Sequence, residues 1–202
     1  MGKLCTPSKS KRAFYNYMLL DANKFISLMS KYSGLTLGEQ DTNFNDFKLF
    51  KSCIFYVGKG TCNRKNVHLM NAKKFIVGKS KKPEIKGQVE EIVNCWKHNG
   101  SIMIVQIEGD ATTYEAHCRE AAIIATLGLK NLSNSIHGVK YGEMKQWSEV
   151  KLRNYGEMTL FISFKNFILK RPPVVKASDV DVNRTPGNNK KYLVCKSCGC
   201  NL

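Results

Sequence analysis

Apolar and polar positions along this chain alternate with a few legible periods. Phe14 to Leu20 (F-Y-N-Y-M-L-L) is a short aromatic and aliphatic run closed by Asp21-Ala22-Asn23, which predicts a strand. Lys24 to Ser33 predicts a helix around Phe25, Leu28 and Met29, and Glu39 to Phe50 another, with Phe44, Phe47 and Phe50 at three-residue steps. Ser52 to Val57 predicts a second strand that stops at a Gly58-Lys59-Gly60 turn, followed by a helix over Asn63 to Phe75. Pro83 opens a further helix whose Ile85, Val89, Ile92, Val93 and Trp96 form a buried stripe, ended by Asn99-Gly100. Ser101 to Ile107 is the third strand. Thr112 to Leu127 is the clearest helix, with Thr112 and Glu115 spaced as a capping box and Gly128 at its end. Two helical stretches follow between Trp147 and Leu169, and Arg171-Pro172-Pro173 opens a polar tail of low helical or strand character.

This order predicts an α+β domain with a small, mainly antiparallel three-stranded sheet flanked by helices and carrying extra C-terminal helices. The organisation expected is a basic disordered leader over 1–12 and a domain over 13–170, divided into a core over 13–135 and a helical extension over 136–170. A tail with a cysteine cluster occupies 171–202.

Charge changes the picture. The chain has 202 residues, with 32 Lys and Arg against 16 Asp and Glu, a net +16, which is the footprint of a polyanionic partner. The excess is concentrated: Lys59, Arg64, Lys65, Lys73, Lys74, Lys79, Lys81 and Lys82 fall in one stretch without an acidic residue. A solvated face normally mixes signs, so this run reads as a surface that tracks a phosphate backbone. No apolar leader segment opens the chain and no 18-residue apolar run crosses it. The expectation is an intracellular protein, nuclear or cytoplasmic, not secreted, with no membrane role and reduced cysteines. Cys195, Cys198 and Cys200 resemble half of a zinc knuckle but lack a clear fourth ligand, so a structural Zn²⁺ there is the minor reading.

Two positions carry chemistry. Arg64 and His68 lie one turn apart on a predicted helix and share a face, with Tyr56 and Lys59 at the preceding strand end able to converge on the same spot. A phenol, an ammonium, a guanidinium and an imidazole together suit a phosphodiester. The second position is Glu120. At about 100° per residue it falls among Ala116, Ile123, Ile124 and Leu127 on the apolar face of its helix. An ionised carboxylate is costly there unless it is paired or holds a metal.

These residues carry a resemblance to the GIY-YIG nuclease domain. Tyr15-Asn16-Tyr17 stands where that family has G-I-Y, with only Tyr17 carrying over, and Tyr56-Val57-Gly58 where it has Y-I-G. Arg64, His68, Glu120 in E-A-H-C-R-E and Asn134 in L-K-N-L-S-N follow in order. The branch it resembles is that of metazoan ankyrin-repeat and LEM-domain endonucleases. It shares the first strand Tyr17 to Asp21, I-F-Y-V-G-K-G from Ile54, R-E-A from Arg119 and L-G-L-K-x-L from Leu127, then Tyr141-Gly142 and Trp147. The resemblance covers residues 13 to 170. With few residues before 13, the expectation is an isolated catalytic domain or a short relative.

The resemblance implies hydrolysis of DNA phosphodiesters with one divalent metal, Mg²⁺ or Mn²⁺, giving 5′-phosphate and 3′-hydroxyl ends, with no small-molecule cofactor. Glu120 would hold the metal. Tyr17 would orient or deprotonate water, with Tyr56 and Lys59 lowering its pKa or placing that water; which tyrosine is the base stays open. Arg64 would clamp the phosphate. His68 would contact phosphate or shuttle a proton. Asn134, or less readily Asn131, would pin the Glu120 helix to the rim. Lys59, Arg64 and the lysine run would hold DNA. Branched DNA (flaps, forks, junctions) follows by analogy with the branch alone. The alternatives are a DNA-binding module that has lost catalysis and a homing-type enzyme of a mobile element.

Overall fold

The computed structural model describes residues 14–32 and 43–182. The leader, the start of the helix expected from Glu39 and the cysteine cluster lie outside these residues. The order is β1 (Phe14–Asp21), α1 (Ile26–Lys31) after one 3-10 turn, α2 (Phe44–Cys53), β2 (Ile54–Gly60), α3 (Arg64–Ile76), α4 (Gln88–Lys97), β3 (Ile102–Ala111), α5 (Thr113–Leu127), α6 (Glu149–Lys170) and β4 (Val174–Val175). The strands form an antiparallel sheet in the order β2-β1-β3-β4, so β2 is an edge and β1 lies inside.

Alternation along β1 divides the core. Met18 and Leu20 face a cluster with Phe25, Phe50, Ile123, Ile124, Phe164 and Phe167, supplied by the loop after β1, α2, α5 and α6. Tyr15, Tyr17 and Leu19 face the other way, onto Leu69 and Ala72 of α3 and Ile92, Val93 and Trp96 of α4. Each sheet face is therefore closed by helices, and β1, which is apolar on both faces, is the element this arrangement buries most deeply.

The α+β architecture agrees with the sequence pattern, and five local departures have physical causes. The Gly58-Lys59-Gly60 segment is not a turn: it continues β2, with Gly58 opposite Tyr17, Lys59 opposite Asn16 and Gly60 opposite Tyr15. The helix expected from Pro83 begins only at Gln88, because Gly87 at φ 60° breaks the run. β3 runs on past Ile107 to Ala111 to pair with Phe14. The tail contributes a fourth strand, since Val174 and Val175 pair with Met103 and Ile102 and the Trp96 indole donates to the Val175 carbonyl at 3.2 Å. Finally, the two stretches expected between Trp147 and Leu169 are one 22-residue helix.

Gly156 lies inside this helix, where a Cβ would collide with the Ala122 carbonyl and the Thr126 hydroxyl of α5. In an unhindered helix, Gly→Ala stabilises by roughly 1 kcal/mol. Forcing atoms into a closed contact costs about 1–3 kcal/mol, so the clash with a backbone carbonyl wins. Gly156→Ala should therefore lower the thermal midpoint, by about 2–4 °C for each kcal/mol of destabilisation. A raised midpoint in calorimetry would show that the packing of α5 on α6 yields freely.

Candidate functional site

One half of the site is built on the α3 side of β2. A Cβ on Gly58 would stand 2.7 Å from the Tyr17 ring and 2.8 Å from both the Tyr17 hydroxyl and the Tyr56 ring, so the bare edge strand is what lets the two phenols lie against it. Gly60 does the same for Arg64, whose Cβ and Cγ fill the place a side chain would take. Tyr15 fixes the turn between them: its hydroxyl donates to the Cys62 carbonyl at 2.6 Å and accepts from the Lys65 amide at 3.2 Å. The start of α3, and with it the direction of Arg64 and His68, is thus tied to β1. Arg64 itself is exposed.

His68 is buried, 3% exposed, and its Nε2 meets the Tyr17 hydroxyl at 2.8 Å. Its Nδ1 meets the Gln88 side-chain amide nitrogen at 3.3 Å. Burial, helped by the Arg64 charge, pushes the His68 pKa down to about 4, so the imidazole is neutral near pH 7. Burial moves the Tyr17 phenol upward, and Tyr56 adds to the rise. The expectation that Tyr56 and Lys59 lower the Tyr17 pKa is therefore overturned: with only 1% of its surface exposed, the phenol is desolvated. Tyr56 is half-buried; desolvation raises its pKa, its hydrogen bond with Tyr17 opposes the rise, Glu120 adds to it and Arg64 opposes it.

The other half stands on the α5 side. Tyr56 and Lys59 are an odd number of residues apart in a regular strand, so they do not converge on one face as the sequence suggested. Lys59 shares a face with its cross-strand partner Asn16, and its ammonium meets the Glu120 carboxylate at 2.7 Å. Glu120 is 8% exposed. Burial raises its pKa and Lys59 pulls it back, the balance expected of a buried carboxylate with one counter-charge. Asn16 is fully buried, its amide nitrogen donating to the Ala116 carbonyl one turn before Glu120 at 2.8 Å, while its Oδ1 has no partner. The two halves thus stand on opposite faces of β2, at the free edge of the sheet. Tyr56 feels both Arg64 and Glu120.

Asn134 closes the frame. Its Oδ1 accepts from the Val57 amide at 3.0 Å and its Nδ2 donates to the Val57 carbonyl at 2.8 Å, imitating a neighbouring strand on the free edge of β2. Ser133 adds bonds from its amide and hydroxyl to the Phe55 carbonyl at 2.7 and 3.0 Å. The loop after α5 is so held to β2. Asn131 instead bonds to the Leu127 carbonyl within its own turn.

Glu120 and the orphaned Asn16 Oδ1 are hard oxygen donors on one face, a donor set suited to Mg²⁺ or Mn²⁺ rather than to a thiophilic ion. Among the described residues no group of three or more His, Cys, Asp or Glu could hold a metal. A cation here would lean on Glu120, with water and substrate oxygens completing its shell.

The lysine run divides. A groove of about 850 Å³ between α3 and the segment leading into α4 is lined by Arg64, His68, Lys74, Lys79, Lys81, Lys82 and Lys86, with Glu84 as its one acid. Lys73 is not among the lining residues, and half-buried Lys65 turns onto the Gln106 side chain at 3.2 Å. Sequence reasoning missed Gln88, Tyr15 and Asn16. A polar residue amid the apolar β1 run signalled Asn16, whereas nothing local marks Gln88. Among the described residues no helix is long and apolar enough to cross a membrane.

Comparison with known proteins agrees with this geometry. The chain is similar to ankyrin repeat and LEM domain-containing protein 1 of Mus musculus, 28% identical over 84% of this chain and 30% of the relative. The Homo sapiens protein of the same name is 30% identical over 72% of this chain and 23% of the relative, and the Caenorhabditis elegans homolog is 33% identical over 55% and 16%. The chain thus spans less than a third of these relatives' length. No solved structure matches it significantly. Residues 14–182 match the LEM-3-like GIY-YIG domain, in keeping with Tyr17 and Tyr56 packed against each other beside the edge strand, and the chain belongs to that nuclease family.

Proposed function

We propose that this chain is a metal-dependent DNA endonuclease that cuts branched duplexes inside the cell, in the nucleus or cytoplasm, leaving 5′-phosphate and 3′-hydroxyl ends. The observation that carries the reading is that Tyr56, on the edge strand, lies within electrostatic reach of both Arg64 and the buried Glu120, and that Arg64 also lines a basic groove. Such a groove is on the scale of a small-ligand pocket. It suits a few nucleotides of single strand better than a paired helix, which favours branched over continuous duplex.

Arg64, exposed and seated on Gly60, clamps the scissile phosphate and offsets charge that builds on its oxygens. Tyr56 is the base in this reading, because Tyr17 is sealed in the core with its hydroxyl held by His68. The Tyr56 phenolate takes a proton from water as the water oxygen bonds to phosphorus. The bond from phosphorus to O3′ breaks, and that oxygen takes a proton from solvent. Glu120, with Asn16 beside it, would hold Mg²⁺ or Mn²⁺, which when bound supplies charge stabilisation at the leaving oxygen. Lys59 is the counter-charge of Glu120 until then. Lys74, Lys79, Lys81 and Lys82 hold phosphates along the groove.

The reading of a binding module that has lost catalysis rested on the altered first triplet. Here Tyr15 and Asn16 have positions of their own, tying α3 and α5 to β1, and nothing in the site favours that reading.

Two outcomes test the proposal. Glu120→Gln should abolish cleavage of a labelled flap or four-way junction in Mg²⁺ while DNA affinity in a gel-shift assay stays within about twofold; cleavage at the wild-type rate would remove Glu120 from the reaction. The triple change Lys79→Glu, Lys81→Glu and Lys82→Glu should weaken binding and lower the slope of log affinity against log salt by roughly one for each phosphate no longer neutralised. An unchanged slope would show that the groove does not carry phosphates.

A further inference from the structure

His68 has two hydrogen-bonding nitrogens, and their partners differ in kind. Nδ1 faces the Gln88 amide nitrogen at 3.3 Å, and that nitrogen can only donate. A neutral imidazole that accepts at Nδ1 carries its hydrogen on Nε2. Nε2 therefore donates to the Tyr17 oxygen at 2.8 Å. The Tyr17 hydrogen is then left for its other neighbour, Tyr56, whose ring centre lies 6.0 Å from that of Tyr17. The whole series points one way, from the amide through the imidazole and the buried phenol to the half-buried one.

We infer that Gln88 is a positioning residue for the proposed hydrolysis: by donating to His68 Nδ1 it fixes the imidazole tautomer, so that Tyr17 donates to Tyr56 and Tyr56 is the phenol able to give up its proton. The inference rests on the nuclease reading above and adds a residue that neither the site motifs nor the fold marks. Reversing the series, with hydrogen on Nδ1, would make Nε2 an acceptor. Tyr17 would then donate to the imidazole, and the Tyr56 oxygen would lose its donor.

The backbone before α4 sets where this amide stands. Gln88 is the first residue of α4, and Gly87 before it has φ 60° with its Cα packed so that a Cβ would lie 3.1 Å from the Ser133 carbonyl. Position 87 therefore admits little besides glycine, and it sets where the first side chain of α4 begins. Gln88 is half-buried, so its donor is shielded yet stands at the wall of the groove that Arg64 and His68 also line. The titratable and charged groups facing Tyr56 are Tyr17 on β1, Arg64 and His68 on α3 and Glu120 on α5.

The test uses the full chain. The ¹⁵N shifts of the His68 ring report its tautomer whether or not the enzyme is turning over, and single-turnover cleavage of a labelled flap is followed against pH. In the wild type the hydrogen should sit on Nε2. Gln88→Glu offers an acceptor to Nδ1, so the tautomer should reverse. Cleavage near neutral pH should then fall about tenfold or more at unchanged KM, within the range that proton transfer contributes, and the alkaline rise of the rate should move to higher pH. Gln88→Leu, which offers neither, should leave a mixture of tautomers and an intermediate loss. Hydrogen on Nδ1 in the wild type would overturn the inference, as would a reversed tautomer with an unmoved pH profile. A wild-type chain that cuts no DNA in Mg²⁺ or Mn²⁺ would instead overturn the nuclease reading, and the ring shifts would still judge the hydrogen-bond series.

Discussion

The bare surface of one edge strand is the constraint on which the site depends. Any side chain at position 58 would occupy the space of the Tyr17 and Tyr56 rings, and any at position 60 would displace the root of Arg64. Because the obstacles are ring atoms already packed in a closed core, they have nowhere to go; Tyr17 is 1% exposed and Leu69, behind it on α3, is fully buried. Two glycines two residues apart on one face therefore turn the strand into a shelf. Lys59 between them points to the opposite side, where it is the counter-charge that makes a buried Glu120 tolerable. One five-residue segment, Tyr56 to Gly60, thus seats a phenol and a guanidinium on one face of the sheet's rim and the counter-charge of a carboxylate on the other.

The helices hold that rim in place by side chains that reach back to the sheet. Tyr15 ties the first turn of α3 to β1, Asn16 ties α5 to the same strand from the other face, and Asn134 completes the unpaired backbone of β2 at Val57. An edge strand with open amides invites unwanted pairing. Here the Asn134 amide and Ser133 cover part of it with the same loop that follows Glu120, so protecting the edge and positioning the acid are one act. The buried imidazole of His68 is tolerated because both its nitrogens are bonded.

How much of this could be read from residues alone follows from which interactions are local. Glu120 was legible because helical periodicity put a carboxylate on an apolar face, and burial at 8% agrees with that. Tyr17, Tyr56, Arg64 and His68 were legible from motif order, and they do gather. What failed was the side of the strand. Gly-Lys-Gly has the composition of a turn, and only pairing with Tyr15, Asn16 and Tyr17, distant in sequence, shows it to be strand. That error hid the separation of Lys59 from Tyr56 and led to a lowered Tyr17 pKa where burial raises it. Gly156 likewise has its reason outside its own helix, in the close approach of α5. The strand Val174–Val175 is two residues long and is fixed by its partner on β3, and Gln88 has meaning only beside His68, where α3 packs on α4. Each is a non-local fact that no window of sequence contains.

The central claim is that water, directed from the edge of β2, displaces the 3′-oxygen at phosphorus. The most direct measurement is cleavage of a branched DNA in ¹⁸O-water with Mg²⁺, under conditions of one turnover, followed by mass analysis of both ends. The account predicts one ¹⁸O atom in the new 5′-phosphate and none in the 3′-hydroxyl. Label in the 3′ fragment, or uncut DNA, would contradict it.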